Sequence, residues 1–196
     1  ATDNVGATSA KTFTLTVNAA LTTTQAIPAT VGDKGTPIPS FIPVTAAGGT
    51  APITFAVTPL ATLTGIGMAF NTGTGAVTGT PTGTLAITTF TVTATDNIGA
   101  TSFKTFTLTV NAALTTTQAV PATVGTQSTL IPTFTPVTSA GGSAPVTYAL
   151  TPLATLTGIG MAFDVSTGAV SGTPSGPLAI TTFTVTATDA IGTTSS

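Results

Sequence analysis

Apolar residues alternate with threonine along several short stretches of the chain. In Phe90–Ala94 and in Phe106–Val110, one face carries apolar side chains and the other carries threonine. This period of two is typical of antiparallel strands that bury one face of a sheet. Asp96–Gly99 lies between the two stretches and has a glycine where a tight turn needs a positive φ, which predicts a hairpin. No stretch repeats its apolar residues at the 3.6-residue spacing of a helix, so we predict no helix.

Further strands are predicted between turns that contain glycine and proline. In the first half of the chain they are Ile38–Thr45, Ile53–Thr58, Gly67–Phe70 and Ala76–Gly79. In the second half they are Ile131–Thr138, Val146–Thr151, Gly160–Phe163, Ala169–Gly172 and Phe183–Ala187. Six or seven short strands in about 90 residues indicate an all-β, immunoglobulin-like sandwich. The core residues that we predict for it are Phe41, Phe70, Phe90, Phe106 and Leu108.

The chain contains the same 93-residue unit twice. Residues 1–93 and 94–186 are identical at 73 positions, and a unit of this length is a whole domain. We expect residues 19–111 to form a complete repeat and residues 112–196 to form a second repeat that lacks its last strand within this chain. Residues 1–18 are then the last hairpin strand of a preceding repeat or a donor strand. Asn18–Pro28 and Asn111–Pro121 are expected to link the repeats.

Two longer motifs resemble a known family. Gly65–Pro81 has the sequence GIGMAFNTGTGAVTGTP, and Gly158–Pro174 repeats it with four differences, among them Asp164 in place of Asn71. Together with FTVTATDNIGATSFKTFTLTV at residues 90–110, these motifs resemble the putative-Ig repeats of bacterial surface proteins and the related dystroglycan-type cadherin-like repeats. The resemblance implies seven-stranded sandwiches strung in tandem in adhesins and other large extracellular proteins. It implies no enzyme.

The side chains offer little chemistry beyond packing. Only 4% of the residues are charged, against about 25% in an average soluble domain, and threonine occupies 53 of the 196 positions. Because His, Cys, Glu and Arg are absent from the sequence, the usual catalytic triads cannot be assembled. The net charge of −2 attracts no nucleic acid, and no apolar run has the roughly 20 residues of a membrane span. We therefore expect no enzyme, no nucleic-acid partner and no membrane insertion.

Tyr148 is the single tyrosine in a chain without tryptophan, and it replaces Phe55 of the other repeat. Proteins that bind sugars usually present exposed aromatic platforms. We favour a core ring at Tyr148, with its hydroxyl at the edge of the core, over a glycan site.

The resemblance to cadherin-like repeats makes calcium the cofactor to consider. Ca²⁺ takes six to eight oxygen ligands, whereas each copy of the hairpin turn offers one recurrent acid: Asp3, Asp96 or Asp189. We favour a structural role, in which this Asp caps its own turn by accepting backbone N–H groups two residues on. Asp3, Asp96 and Asp189 remain the calcium candidates, and we expect no other metal or cofactor.

The segment KTFTLTV occurs at residues 11–17 and again at 104–110, where it is the predicted last strand. A sandwich without this strand would expose an apolar groove and two unpaired edges. The strand that fills the groove is expected to come either from continuing residues of a longer tandem array or from another copy joined head to tail. The turn sequence shared by Ala1–Ala10 and Ala187–Ser196 favours the array. The candidate interaction residues are Lys11, Thr12, Phe13, Thr14, Leu15, Thr16 and Val17.

Both arrangements build a linear array of similar sandwiches, so the predicted partner is the chain itself. We expect a structural fibre or stalk that is extracellular or at the cell surface, and the resemblance implies a bacterial one. The alternative is the stalk region of a bacterial adhesin whose ligand-binding domain lies outside this chain. A host or neighbouring-cell surface would then be a further partner.

Overall fold

The computed structural model describes every residue except Asp3, so that calcium candidate lies outside the described residues. Residues 22–111 fold into nine strands and one short helix. These elements are β1 (Thr22–Gln25), β2 (Ala29–Asp33), β3 (Ile38–Phe41), β4 (Val44–Ala47), β5 (Thr54–Thr58), α1 (Leu60–Gly65), β6 (Met68–Phe70), β7 (Val77–Gly79), β8 (Leu85–Thr95) and β9 (Thr101–Asn111).

The strands of the first repeat form two facing layers. One layer is the four-stranded sheet β2-β9-β8-β5, in which β2 runs parallel to β9 and the other pairs are antiparallel. The other layer contains the pair β1-β4 and the three-stranded sheet β3-β7-β6. The prediction of an all-β, immunoglobulin-like fold is confirmed.

The core lies between these layers and is centred on aromatic rings. Phe90 on β8 and Phe106 on β9 stack with their centroids 5.3 Å apart. Phe41 on β3 meets Phe106 edge to face at 5.9 Å, which joins the two layers. Leu108 is also buried, and Phe70 is partly buried against the same cluster, so the predicted core residues are confirmed.

The second repeat has the same elements, except that no strand corresponds to β2 and only two residues pair at the position of β9. They are β10 (Thr115–Gln118), β11 (Ile131–Phe134), β12 (Val137–Ala140), β13 (Thr147–Thr151), α2 (Leu153–Gly158), β14 (Met161–Phe163), β15 (Val170–Gly172), β16 (Thr184–Thr188) and β17 (Thr194–Ser195). The sheets are β10-β12, β11-β15-β14 and β13-β16-β17. The third of these corresponds to the four-stranded sheet of the first repeat, with the two-residue β17 in the place of β9.

The prediction that the chain has no helix is wrong. Each repeat has one six-residue helix, α1 or α2, with the sequence LATLTG after a proline. Pro59 fixes the chain direction at the start of α1, and Leu63 is buried in the core. A helix of this length presents only one buried residue, so its period of 3.6 cannot be recognised in the sequence. In the part of the chain that the structure describes, no helix is long and apolar enough to cross a membrane.

Two further predictions of strand limits need correction. The predicted strand Ile38–Thr45 is divided into β3 and β4 at Pro43, which has no N–H for a ladder and whose carbonyl accepts the Ala26 N–H at 2.8 Å. The segments expected to be linkers contain β1 and β10, which pair with β4 and β12. Their three consecutive threonines mask the alternation that identified the other strands.

Candidate assembly site

The candidate interaction segment Lys11–Val17 lies outside the sandwiches. Residues 9–21 belong to no helix or strand, and Phe13, Leu15 and Val17 are 88%, 78% and 83% exposed. Three large apolar side chains in alternate positions are therefore in contact with solvent. Such an exposed row is characteristic of a strand without a sheet.

The same three apolar positions are among the most buried of the chain when the segment occurs in β9. Phe106, Leu108 and Val110 are 1%, 0% and 2% exposed, and they belong to the core of the first repeat. The chain thus contains two copies of KTFTLTV in opposite environments. Each buried aromatic or aliphatic side chain of this size contributes about 1.5–3 kcal/mol relative to an exposed one.

The second repeat is open where a counterpart of β9 would pair. Residues 122–126, which match β2, belong to no strand, and β16 has five residues where β8 has eleven. Val124 is 96% exposed, whereas its counterpart Val31 is 46% exposed. Phe183 is only partly buried, although the equivalent Phe90 has no exposed surface. Without a full counterpart of β9, the second repeat therefore has both shorter strand pairing in the sheet and a less buried core.

A groove of about 320 Å³ lies on this open side of the second repeat. Its lining includes the apolar Val124, Leu130, Ile131 and Phe134, together with three threonines, a glycine and a proline. In the first repeat the equivalent strand β2 lies against β9. The groove is thus next to the position that β9 would occupy.

The short strand β17 already fixes the register of that position. Ala187 pairs with Ser195 and Thr188 with Thr194, as Ala94 pairs with Ser102 and Thr95 with Thr101 in the first repeat. A strand that continued β17 would therefore meet β16 in the register of β8 and β9.

The calcium candidates Asp96 and Asp189 act as turn caps. Oδ1 of Asp96 accepts the N–H groups of Ile98 at 3.1 Å and Ala100 at 2.8 Å, and Oδ2 accepts the Thr50 N–H at 2.9 Å. Asp189 makes the same three contacts in the second repeat, with Ile191, Thr193 and Ser143. The predicted cap is confirmed. Among the described residues, no three acidic side chains come together as a metal site would require.

The cap contacts also explain the acidity of Asp96. The hydrogen bond from the Thr50 N–H is the largest cause that lowers the pKa of this carboxyl group. Burial opposes it, and the N–H groups of Ala100 and Ile98 lower the pKa further. The hydrogen bonds of the turn therefore stabilise the ionised form of the Asp96 carboxyl group.

Tyr148 has the position that the sequence suggested. Its ring packs partly buried against the second core, and its hydroxyl forms a 2.7 Å hydrogen bond with the Ser139 hydroxyl. The first repeat has Phe55 and Ala46 at the two equivalent positions. The two polar groups therefore occur together in one repeat and are both missing from the other.

Asp33 is the residue that sequence reasoning missed. It ends β2, is completely buried, and contacts Ser143 of the second repeat. Its counterpart is Thr126, and that difference between two nearly identical repeats was the available signal. Because the second repeat has threonine at this position, the fold of a single repeat does not require the acid. Asp33 can therefore stabilise the contact between these two repeats.

One comparison with known protein families identifies the kind of domain. Residues 19–111 match the family model described as Putative Ig domain. No curated protein matches the chain. The first repeat is the part of the chain to which the family model applies.

Several solved structures are similar to the chain. The C-terminal 282-residue fragment of intimin, in complex with the intimin-binding domain of the translocated intimin receptor, is 17% identical with a TM-score of 0.41; the match covers 78% of this chain and 55% of that one. The titin I-band fragment I67–I69 is 15% identical with a TM-score of 0.48, over 86% and 62% of the two chains. Mouse cadherin-23 EC22–24 is 18% identical with a TM-score of 0.33, over 90% and 62%. The chain therefore spans about half to two thirds of these fragments.

The family match agrees with the sandwich topology, the buried Phe106–Val110 strand and the turn motifs described above. The match to the Putative Ig domain family covers residues 19–111, the first repeat.

Proposed function

We propose that this chain is a structural repeat of an extracellular fibre or stalk, in which Ig-like domains stack head to tail. In this proposal a strand of the Lys11–Val17 type completes the open second repeat. The role depends on length and packing rather than on catalysis. The family match supports the domain type, and the assembly through a strand is our own proposal.

One observation carries the proposal: the chain displays, exposed, the same sequence that it buries in β9. Residues 11–18 and 104–111 are identical, KTFTLTVN. The second repeat differs from the first mainly where this strand is absent. In the proposal, residues 11–18 are the donor strand and the open side of the second repeat is the acceptor.

The proposed strand has a defined register. If β8–β9 pairing is transferred to the second repeat, the partners are Lys11 with Val185, Phe13 with Phe183, Leu15 with Thr181 and Val17 with Leu178. On its other edge the strand would pair in parallel with residues 122–126, as β9 does with β2. Both unpaired edges of the groove would then be satisfied by one strand.

An open contact of this kind propagates instead of closing. Donor and acceptor are different surfaces, so each added chain leaves one of each free, and growth is linear. A chain with few charges and no cysteine suits an exposed structural role. We place the fibre outside the cell as part of the same proposal.

Cysteine cross-linking tests the register directly, because the natural chain has no cysteine. Thr89 and Thr107 are paired in β8–β9, and their counterparts for the proposed contact are Thr182 and Thr14. Mixing Thr14→Cys with Thr182→Cys protein under mild oxidation should give a mixed disulfide dimer. Thr186→Cys is the matched control, because its counterpart Thr93 pairs four residues away, with Phe103.

The result also separates the two sources of the strand. Selective cross-linking of Thr14→Cys to Thr182→Cys supports exchange between copies. If a synthetic peptide of residues 11–18 binds the second repeat but chains do not cross-link, the strand belongs to a longer covalent array. If neither occurs, strand completion is wrong, and binding of these two repeats to a host or neighbouring-cell surface would instead favour the adhesin stalk.

A further inference from the structure

The contact between the two repeats contains a buried hydrogen-bond chain centred on Ser143. The Asn111 side-chain N–H₂ donates to the Ser143 hydroxyl at 2.9 Å, and this hydroxyl donates to Oδ1 of Asp33 at 2.8 Å. Ser143 is 3% exposed, and Asp33 has no exposed surface. The backbone carbonyl of Asn111 also accepts the Lys34 N–H at 2.9 Å, which holds the Asp33 turn against the end of β9.

The second carboxyl oxygen of Asp33, Oδ2, is buried without a hydrogen-bond partner among the described residues. Ser143 holds this carboxyl group beside that of Asp189 in the next repeat, because its hydroxyl donates to Asp33 and its backbone N–H donates to Oδ2 of Asp189 at 2.9 Å. Asp189 already receives three backbone N–H groups and has no hydrogen to offer in its ionised form.

Two ionised carboxylates in this buried contact would repel each other. A proton on Oδ2 of Asp33 converts the same contact into a charge-assisted hydrogen bond to Asp189. Asp33 is the better carrier of the proton, because the turn N–H groups stabilise Asp189 in its ionised form. The geometry therefore accommodates one proton for the two acids.

The acidities of the two groups agree with this assignment. Burial raises the pKa of Asp33, interaction with Asp189 raises it further, and the hydroxyl groups of Ser143 and Thr193 act in the opposite direction. For Asp189, burial acts to raise the pKa, but the hydrogen bond with Asp33 and the N–H groups of Ser143, Thr193 and Ile191 lower it overall. Opposite shifts in neighbouring carboxyl groups are typical of a pair that holds a single proton.

The other groups around the pair are neutral. Ser143 and Asn111 form the chain described above, and the buried Thr193 hydroxyl also faces Asp33. Lys34 follows Asp33 in the sequence, but its side chain is exposed to solvent. Among the described residues, Asp189 is thus the titratable partner of Asp33 in this contact.

We propose that Asp33 and Asp189 share one proton across the contact between the two repeats and thereby make this contact a pH-dependent joint. The inference concerns residues within the chain, so it holds whether or not a strand completes the second repeat. At acidic pH the joint is closed by the shared proton. Once the proton is lost, two buried negative charges face each other and the joint loosens.

The sign of the effect follows from the folded and unfolded acidities. The raised pKa of Asp33 means that its stabilising contribution is complete below the unfolded value of 3.8 and disappears as pH rises through the folded pKa. The lowered pKa of Asp189 has the opposite consequence, a loss as pH falls through its own folded value below 3.8. The joint is therefore tightest in the window between the two folded values, where one proton is present.

The second repeat has threonine at the position of Asp33. Its counterpart of Asp33 is the exposed Thr126, and Thr50 and Asp96 are the first-repeat counterparts of Ser143 and Asp189. A contact built on Thr126 has no second carboxyl group. Asp33→Thr is therefore the natural control, and Asp33→Asn is the isosteric one, because its amide donates to Asp189 at every pH.

Carboxyl NMR titration of the intact chain is the direct test, since the sequence has only five acidic residues. We expect Asp33 to titrate above the ordinary value for Asp, and Asp96 to titrate below it. Replacing Asp33 by Asn should remove the raised titration and shift Asp189 in the same experiment. Titration of Asp33 at or below the value of Asp96 would overturn the proposal.

Thermal unfolding adds a readout of the joint. As pH rises from 3.8 through the raised folded pKa of Asp33, the wild-type second repeat should lose melting temperature, whereas Asp33→Asn should lose much less over the same range. Parallel curves for the two proteins would contradict the shared proton. So would a stabilisation by millimolar Ca²⁺ at pH 7 that requires Asp33, because the pair would then hold a cation in place of the proton.

Discussion

The two repeats are nearly the same in sequence and differ in structure around one strand. The first has β9, and with it a continuous four-stranded sheet, a paired β2 and a fully buried Phe90. Residues 112–196 have only the two residues of β17 at that position, and there β16 is short and Phe183 is partly exposed. The comparison shows that β9 organises both of its neighbours as well as the core beneath it.

The two aromatic positions give the largest expected contrast. Phe90→Ala removes a fully buried ring that stacks on Phe106, and should lower the free energy of unfolding of the first repeat by about 3–5 kcal/mol. Phe183→Ala should cost the second repeat clearly less, because part of that ring is already exposed. Urea unfolding of both variants measures the difference. Equal losses would show that the open repeat has a core as complete as the first.

The turn acids provide a pH-dependent contrast. The lowered pKa of Asp96 means that its stabilising contribution is present above the unfolded value of 3.8 and is lost as pH falls through the folded pKa. Asp96→Asn should therefore destabilise the first repeat at neutral pH and flatten its acid unfolding curve. Asp164→Asn is the matched control, since Asn71 caps the same turn in the first repeat. An equally large effect of Asp164→Asn would contradict the distinct role of the hairpin acids.

The Tyr148–Ser139 pair gives a smaller contrast. Tyr148→Phe should cost the second repeat about 0.5–1.5 kcal/mol, because it removes the 2.7 Å hydrogen bond to Ser139. Phe55→Tyr in the first repeat should not stabilise it unless Ala46→Ser is added. Thermal unfolding of the single and double variants measures this coupling. Additive effects of Phe55→Tyr and Ala46→Ser would argue against a transferable pair.

The smallest expected effect is at a surface turn. Ser128 has a φ of 64°, whereas its counterpart is Gly35, with a φ of 85°. Ser128→Gly should stabilise the second repeat by about 0.5–1 kcal/mol, because the left-handed conformation costs serine more than glycine. Gly35→Ser should cost the first repeat a similar amount, since open space surrounds the added side chain. Thermal unfolding of both variants would show whether the exchange is symmetrical.

The sequence predicted those parts of the fold that depend on local pattern. The hairpin of β8 and β9 and the core phenylalanines follow from alternation that a short window contains. The start of β8 could not be predicted, because Leu85–Thr89 has the sequence LAITT without regular alternation. The identical LAITT at residues 178–182 is not in a strand. These residues become a strand only when β9 pairs with them.

The contact between Asp33 and Asp189 could not be predicted either, because it also depends on residues outside any short window of the sequence. Asp33 and Asp189 are far apart in the sequence and come from different repeats, so no motif connects them. Their contact depends on how one sandwich follows the next. The Asp96 and Asp189 caps, in contrast, were predictable, because each acid binds N–H groups of its own turn.

The central claim is that a strand with the sequence of β9 orders the two strands next to it, and hydrogen exchange of backbone amides tests this most directly. The comparison is between residues 85–89 and 29–33 of the first repeat and the equivalent residues 178–182 and 122–126 of the second. We predict slow exchange in the first repeat and fast exchange at the equivalent amides of the second. Addition of a peptide with the sequence of residues 11–18 should slow exchange in the second repeat alone. Equal protection of both repeats without the peptide, or no change when it is added, would contradict the account.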